Sequence, residues 1–211
     1  MHSLKRQPFW VMEQQPGPVN WHLYNPPVPE GQVRLWSHQA IAHGASAIVY
    51  FRFRAGRTGQ EQYHRGLLKW DNSPDQTYYE SQQVSREVLA LPKFTRTQAK
   101  VGIVYDYNDL WSIEIEPYHR DFSDYTLVNE IYAGCWKRNI AVDLLPRGAD
   151  LTGYETVIVP APILIHPGEI EKWQKWVEQG GRLVYTFRSY VRRASNIATD
   201  CTLPVGLGNL I

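Results

Sequence analysis

The segment Phe9-Trp10-Val11-Met12-Glu13-Gln14-Gln15-Pro16-Gly17-Pro18 joins an apolar run to a turn-forming one. A short run of large apolar residues between Pro8 and the Pro16-Gly17-Pro18 cluster predicts a buried strand over Phe9–Met12. Glu13 then falls where the strand gives way to its exit loop. The strand fixes the backbone there and the loop opens it to a ligand, so a carboxylate at this point is placed for chemistry. The same position also suits a strand-end glutamate that only faces solvent.

On the C-terminal side, Val19 to Pro29 carries Pro26, Pro27 and Pro29 and reads as an irregular loop, since prolines remove amide donors. From Gly31 to His43 the apolar positions Val33, Leu35, Trp36, Ala40, Ile41 and Ala42 recur at near-helical spacing, and Gly44 supplies a stop. Ala45 to Phe53 predicts a second strand, Arg54 to Gly66 its exit loop, and Asp75 to Leu91 a helix ended near Pro92. This alternation is the rhythm of a parallel barrel or a doubly wound sheet. Two such strand–helix units cannot close a barrel, which needs eight strands and roughly 250 residues, and alone they leave sheet edges unpaired.

Residues 94–100 are polar and basic and read as a linker. Beyond them a second α/β pattern begins, with strands at Val101–Tyr105, Ala141–Leu145, Thr156–Pro160 and Arg182–Phe187 and helices over Tyr125–Arg138 and His166–Gln179. Four strands alternating with helices predict a small flavodoxin-like parallel sheet over 101–211. That domain is expected to be incomplete at its C-terminal end, near Leu203-Pro204-Val205-Gly206-Leu207.

Composition narrows the function classes. The 22 Lys and Arg nearly balance the 21 Asp and Glu, so no net field exists to hold nucleic acid or an anionic membrane. No segment approaches the roughly 18 apolar residues of a membrane span, and the N-terminus leads into no signal-type run. A cytoplasmic location is the expectation. The only cysteines, Cys135 and Cys201, lie far apart without CxxC spacing, which argues against a disulfide framework or a cysteine-rich metal site. Aromatic residues make up 13% of the chain, many in polar, loop-like surroundings, and exposed aromatic faces stack on sugars as well as filling cores.

The candidate chemistry gathers in the two exit loops. Glu13 and Glu61 leave successive strand–helix units, so a barrel would bring both to its C-terminal face. Paired carboxylates are what glycoside hydrolysis requires, and their separation decides retention or inversion. Glu61 is equally readable as a solvated loop residue. His64, three residues after Glu61, would share its face if the loop makes a helical turn, giving a pair able to grip sugar hydroxyls. It also reads as a surface histidine, and no further ligands beside it suggest a metal. Trp21 could present its indole to a pyranose or lie as a lid over the core. No cofactor is called for.

These residues carry a resemblance. Phe9 to Trp21, then Arg34-Leu35-Trp36-Ser37-His38-Gln39-Ala40-Ile41-Ala42-His43-Gly44-Ala45, Tyr50-Phe51-Arg52-Phe53-Arg54 and Glu61-Gln62-Tyr63-His64-Arg65-Gly66-Leu67-Leu68 closely resemble the β-galactosidases of glycoside hydrolase family 42. The resemblance implies an α/β fold: residues 1–93 as the last strand–helix units of a TIM (β/α)8 barrel, and 101–211 as that family's flavodoxin-like trimerisation domain. It implies Glu13 as the nucleophile of a retaining mechanism, Trp21 lining the galactose site, and Glu61 and His64 binding galactose hydroxyls. The partners it implies are a galactoside or oligosaccharide substrate and further copies of the chain in a trimer. It also implies that the acid/base is another glutamate, following an Asn on an earlier barrel strand upstream of residue 1. Glu61 therefore moves from catalysis to binding, and Asn129-Glu130, in a helix of the second domain, is a coincidence. A segment without its acid/base is expected to be inactive alone, and the competing reading is a non-catalytic remnant or oligomerisation module.

Overall fold

In the computed structural model, which describes residues 1–92, 98–117 and 119–200, the chain divides into two units, Met1–Arg96 and Thr97–Ile211. The first contains a short helix α1 (His2–Lys5), strand β1 (Phe9–Gln14), helix α2 (Gln32–Ala42), strand β2 (Ala45–Tyr50) and helix α3 (Gln76–Ala90). β1 and β2 pair in parallel, with Phe9 opposite Ala45, Val11 opposite Ile48 and Gln14 opposite Tyr50, and α2 forms the crossover. Gly44 ends α2 as expected. Its φ of +97° is left-handed, its N–H donates to the Ile41 carbonyl at 2.9 Å, and a Cβ there would lie 2.8 Å from the His2 ring.

β1 differs from its expectation in length and burial. It runs on through Glu13 and Gln14, and none of its residues is buried: Trp10 is 63% exposed and Met12 66%. The reason is topological. Among the described residues β1 has one strand neighbour, β2, which itself leaves Val49 exposed, and Phe51 and Phe53 just beyond it are exposed too. Apolar alternation marked a strand correctly, but burial depends on what lies across its faces and edges.

The N-terminus of α2 has no side-chain cap of its own. Glu80, on α3 and only 7% exposed, supplies one instead: Oε1 accepts from the Gly31 N–H at 2.9 Å and Oε2 from the Arg34 N–H at 3.1 Å. Gln76 donates to the same Oε1 at 3.0 Å. A carboxylate here satisfies free amides and meets the positive end of the helix dipole. Glu80→Ala should therefore cost about 1–3 kcal/mol, with Glu80→Gln recovering part of it, read as shifts in urea denaturation. An unchanged midpoint for Glu80→Ala would mean that water caps α2 equally well.

The second unit holds β3 (Val101–Val104), α4 (Tyr107–Ile115), α5 (Asp124–Trp136), β4 (Val142–Leu145), β5 (Thr156–Val159), β6 (Leu164–Ile165), α6 (Glu169–Glu178), β7 (Arg182–Tyr185) and β8 (Arg192–Arg193). Its main sheet is all parallel in the order β4-β3-β5-β7, the flavodoxin-like arrangement in which the first strand is flanked by the second and third. Val104, Leu145, Val157, Val159, Ile170 and Trp173 form the core beneath it. Helix α4 and the short pair β6–β8 were not foreseen. Asp106, whose side chain accepts from the Asn108 N–H at 3.1 Å, is the local cap signal for α4.

In doubly wound sheets ligands bind in the crevice beyond the strand C-termini. Here the loops leaving β3 and β4 bring charged side chains together. Arg147, after β4, donates to Asp106 after β3, to Asp109 on α4, and to both oxygens of Glu169 at 2.7 and 2.6 Å. The four side chains are each at most 12% exposed. Burial raises the Asp109 carboxyl to about 6 against the pull of Arg147, and raises Glu169 too. This edge is built as an internal ion cluster.

Of the expected linker, 94–97 lie outside the described residues. Gln98 to Lys100 are irregular and attach to the second unit, the Lys100 carbonyl accepting from the Glu155 N–H at 2.8 Å. The segment Leu203–Leu207 and Cys201 also lie outside the described residues. Among the described residues, no helix is long and apolar enough to cross a membrane.

Candidate active site

The loops leaving β1 and β2 are stitched together. The Arg65 N–H donates to the Pro18 carbonyl at 3.0 Å, and Asn20 Nδ2 donates to the Gln60 carbonyl at 2.8 Å. Gly17 permits this approach, since a Cβ there would lie 2.8 Å from Arg65 Cβ. The β2 exit segment is pinned to β1 where the Phe51 N–H donates to the Gln14 carbonyl at 3.0 Å, one residue past Glu13. The chain then returns alongside itself, Leu67 N–H to the Arg52 carbonyl at 3.0 Å and Leu68 N–H to the Phe53 carbonyl at 2.8 Å. Backbone hydrogen bonds thus hold the tip bearing Glu61 and His64 beside the end of β1.

His64 is the buried centre of this cluster, 1% exposed. The Trp21 ring meets it edge-on at 4.7 Å between centroids and 87°, and the Phe51 ring lies at 5.5 Å, tilted by 46°. Its shared face with Glu61 comes from a hydrogen-bonded turn, His64 N–H to the Glu61 carbonyl at 3.1 Å. The side chains stop short of bonding, Nδ1 lying 3.9 Å from Glu61 Oε2. Neither ring nitrogen has a hydrogen-bond partner among the described residues. Glu61 is half exposed, and its Oε2 accepts from Arg52 Nη2.

Electrostatics brings Glu13 into the same neighbourhood. Burial depresses the His64 pKa below the ordinary imidazole value and the Arg52 cation lowers it further, while the Glu61 and Glu13 carboxylates oppose them. His64 is therefore neutral at neutral pH, with one donor and one acceptor nitrogen. Glu13 itself is exposed, on the penultimate residue of β1, and Trp21 is 53% exposed. The arrangement offers a solvent-accessible carboxylate at the end of β1, with an indole face, a second carboxylate and a neutral imidazole in the two adjoining loops. Such groups can together stack on and hydrogen-bond a polyhydroxylated ring.

Arg52 and Phe51 belong to this cluster, although the reading of the sequence assigns them no site role and only counts them among the stretches that carry the resemblance. The alternation Phe51-Arg52-Phe53-Arg54 at the exit of a strand was the available signal. Among the described residues, no group of three or more His, Cys, Asp or Glu is arranged to hold a metal ion.

Comparison with known proteins agrees with this division of the chain. Residues 1–91 match the glycoside hydrolase family 42 model described as β-galactosidase, and residues 99–210 match the model of the β-galactosidase trimerisation domain. A β-galactosidase of Halorubrum lacusprofundi is 40% identical over 205 residues, covering 97% of this chain and 29% of the relative. One from Thermus thermophilus is 41% identical over 167 residues, covering 79% of this chain and 26% of the relative. The solved structure of the Halorubrum lacusprofundi enzyme superposes with a TM-score of 0.93 at 39% identity, over 100% of this chain and 32% of that one. The β-galactosidase of the psychrophilic Marinomonas ef1 gives 0.86 at 32% identity, over 96% and 32%. The chain thus spans less than a third of the length of these relatives. With both halves matched in order, and with the parallel strands, helices and flavodoxin-like sheet of that fold, the chain belongs to the family 42 β-galactosidases, as the end of their TIM barrel followed by their trimerisation domain.

Proposed function

We propose that this chain is the nucleophile-bearing portion of a retaining β-galactosidase that releases terminal non-reducing β-D-galactose from oligosaccharides or small galactosides. The supporting observation is the convergence of Glu13, at the end of β1, with Trp21, Glu61 and His64 on the adjoining loops at the C-terminal ends of β1 and β2. In this reading the Glu13 carboxylate attacks the anomeric carbon as the glycosidic oxygen departs, forming a galactosyl ester that water then cleaves. Trp21 offers its indole to the C–H face of the sugar, and Glu61 and His64 take hydroxyl hydrogen bonds. The proton donor is assigned to no residue of this chain.

The exposed apolar side chains of β1 and β2 support a need for further barrel strands, because a two-stranded sheet is marginal by itself. General acid help alone is worth about 10²–10⁴-fold, so residues 1–211 in isolation should hydrolyse a chromogenic β-galactoside at background rates. The polypeptide carrying this segment with the rest of its barrel should hydrolyse it with retention, read from the first-formed anomer by proton NMR. No turnover by that polypeptide, or inversion, would sink the proposal; robust turnover by the segment alone would refute the assignment of the acid/base elsewhere.

We assign self-association as a trimer to residues 99–210, by their match to the trimerisation model and by the exposed stripe Tyr107, Trp111 and Ile115 along α4. Two widely separated cysteines suit the reducing cytoplasm, where we place the enzyme.

A further inference from the structure

We propose that Arg52 is a positioning residue of this site: it holds the Glu61 carboxylate outward and keeps it from His64, so that both groups are left to receive a galactose hydroxyl. The inference rests on the galactoside reading above.

Arg52 is the fixed partner of the pair. Its carbonyl accepts from the Leu67 N–H at 3.0 Å and lies 2.9 Å from where a Cβ on Gly66 would stand. Its guanidinium carbon sits 5.3 Å from the centroid of the Phe51 ring. A Cβ on Gly56 would lie 2.6 Å from Nη1, so the guanidinium passes close over that glycine. The Arg52 side chain is 22% exposed against 51% for Glu61, and its Nε is buried with no hydrogen-bond partner among the described residues. A planar fork packed against an aromatic ring with its Nε buried has less freedom than the carboxylate it binds, which reaches toward solvent.

The consequence falls on His64. Its Nδ1 lies 3.9 Å from the same Glu61 Oε2 that accepts from Arg52 Nη2. Without the guanidinium, that oxygen could close on the imidazole and favour its protonated form. The rings packed against the imidazole are those of Trp21 and Phe51, and the charges that act on it are those of Arg52, Glu61 and Glu13. Arg52 is the only cation among those charges, and removing it leaves two carboxylates to draw a proton onto His64. An imidazolium has two donors and no acceptor, and it loses the ability to accept from a hydroxyl.

The test is calorimetric titration of D-galactose into the complete polypeptide between about pH 5 and 8, comparing wild type, Arg52→Met and Arg52→Lys. Arg52→Met should weaken binding about tenfold or more at neutral pH, the loss expected for misplacing one charged hydrogen-bonding group, and should move the acidic limit of binding to higher pH. Arg52→Lys, which keeps the charge without the fork, should restore the acidic limit and only part of the affinity. Wild-type affinity and an unmoved acidic limit in Arg52→Met overturn the role of Arg52 while leaving the galactoside reading intact. A wild-type polypeptide that binds no galactose overturns that reading and this inference with it. Should Arg52→Met not fold, Arg52→Lys decides: an acidic limit moved to higher pH although the charge is kept counts against an electrostatic role, and an unmoved one with weakened affinity supports it.

Discussion

Glu13→Gln in the complete enzyme should lower kcat on a chromogenic galactoside by on the order of 10⁴–10⁶-fold, the range seen when a nucleophile acting in concert with its site is removed. Glu13 is exposed at the end of β1, and the replacement is nearly isosteric. Stability should therefore stay within about 0.5 kcal/mol of wild type. Galactose binding should survive, because Trp21, Glu61 and His64 do not depend on Glu13 for their positions. A Glu13→Gly variant given azide and an activated β-galactoside should produce the α-galactosyl azide, since the small anion attacks from the face that the carboxylate vacates. Recovery of the β-azide would instead make Glu13 the proton donor. Retained turnover in Glu13→Gln would remove it from the chemistry altogether.

The second large effect is structural and lies in the other unit. Arg147→Met should destabilise it by about 3–5 kcal/mol at pH 7.5, the cost of leaving buried carboxylates without their counter-charge. Asp106, Asp109 and Glu169 would then face one another with at most 10% of each side chain exposed. Domains are stable by only about 5–15 kcal/mol, so such a loss removes a large share. Its pH dependence has a definite sign. Asp109, already raised to about 6 by burial, and Glu169, also raised, favour the folded state when neutral. That contribution is fully present below the ordinary carboxyl range of about 4 and is lost as pH rises through about 6. The deficit of Arg147→Met relative to wild type should therefore shrink between pH 7.5 and pH 5, where proton uptake replaces the missing cation. Denaturant midpoints at the two pH values measure this, and a deficit that is equal at both, or absent, would show that water already solvates the cluster.

The pH contrast also separates the two units in one experiment. Glu80, which caps α2, belongs to the first unit, and Arg147 to the second. Their variants should move different unfolding transitions if the units melt separately.

Several features were legible because their causes act within a few residues. The helical spacing from Val33 to Ala42 ends at Gly44, where a left-handed backbone is required. Asp75 after Ser73-Pro74 opens α3 as its cap, its side chain accepting from Gln76 N–H. The strands of the flavodoxin-like sheet announce themselves as short β-branched runs such as Thr156–Val159. Glu13, Trp21, Glu61 and His64 are nominated by the sequence as candidates, and the family resemblance supplies the roles proposed for them.

Tertiary structure decided everything that depends on which distant segments become neighbours. Whether Trp10 and Met12 are covered depends on the strands beside β1, so an apolar run was an insufficient guide to burial. The cap of α2 arrives from Glu80, 49 residues after Gly31, and the Arg147 cluster gathers carboxylates 22 to 41 residues away. Arg52 is held by the carboxylate at the tip of its own loop, a partner nine residues away that spacing does not reveal. The reason is the range of the forces involved. Backbone hydrogen bonding and side-chain rotamers act over a turn of helix or a pair of strand residues, and local sequence specifies them. Capping from afar, ion clusters and the environment of His64 arise only when chain closure brings separate elements within about 4 Å, where desolvation makes a charge either costly or well held.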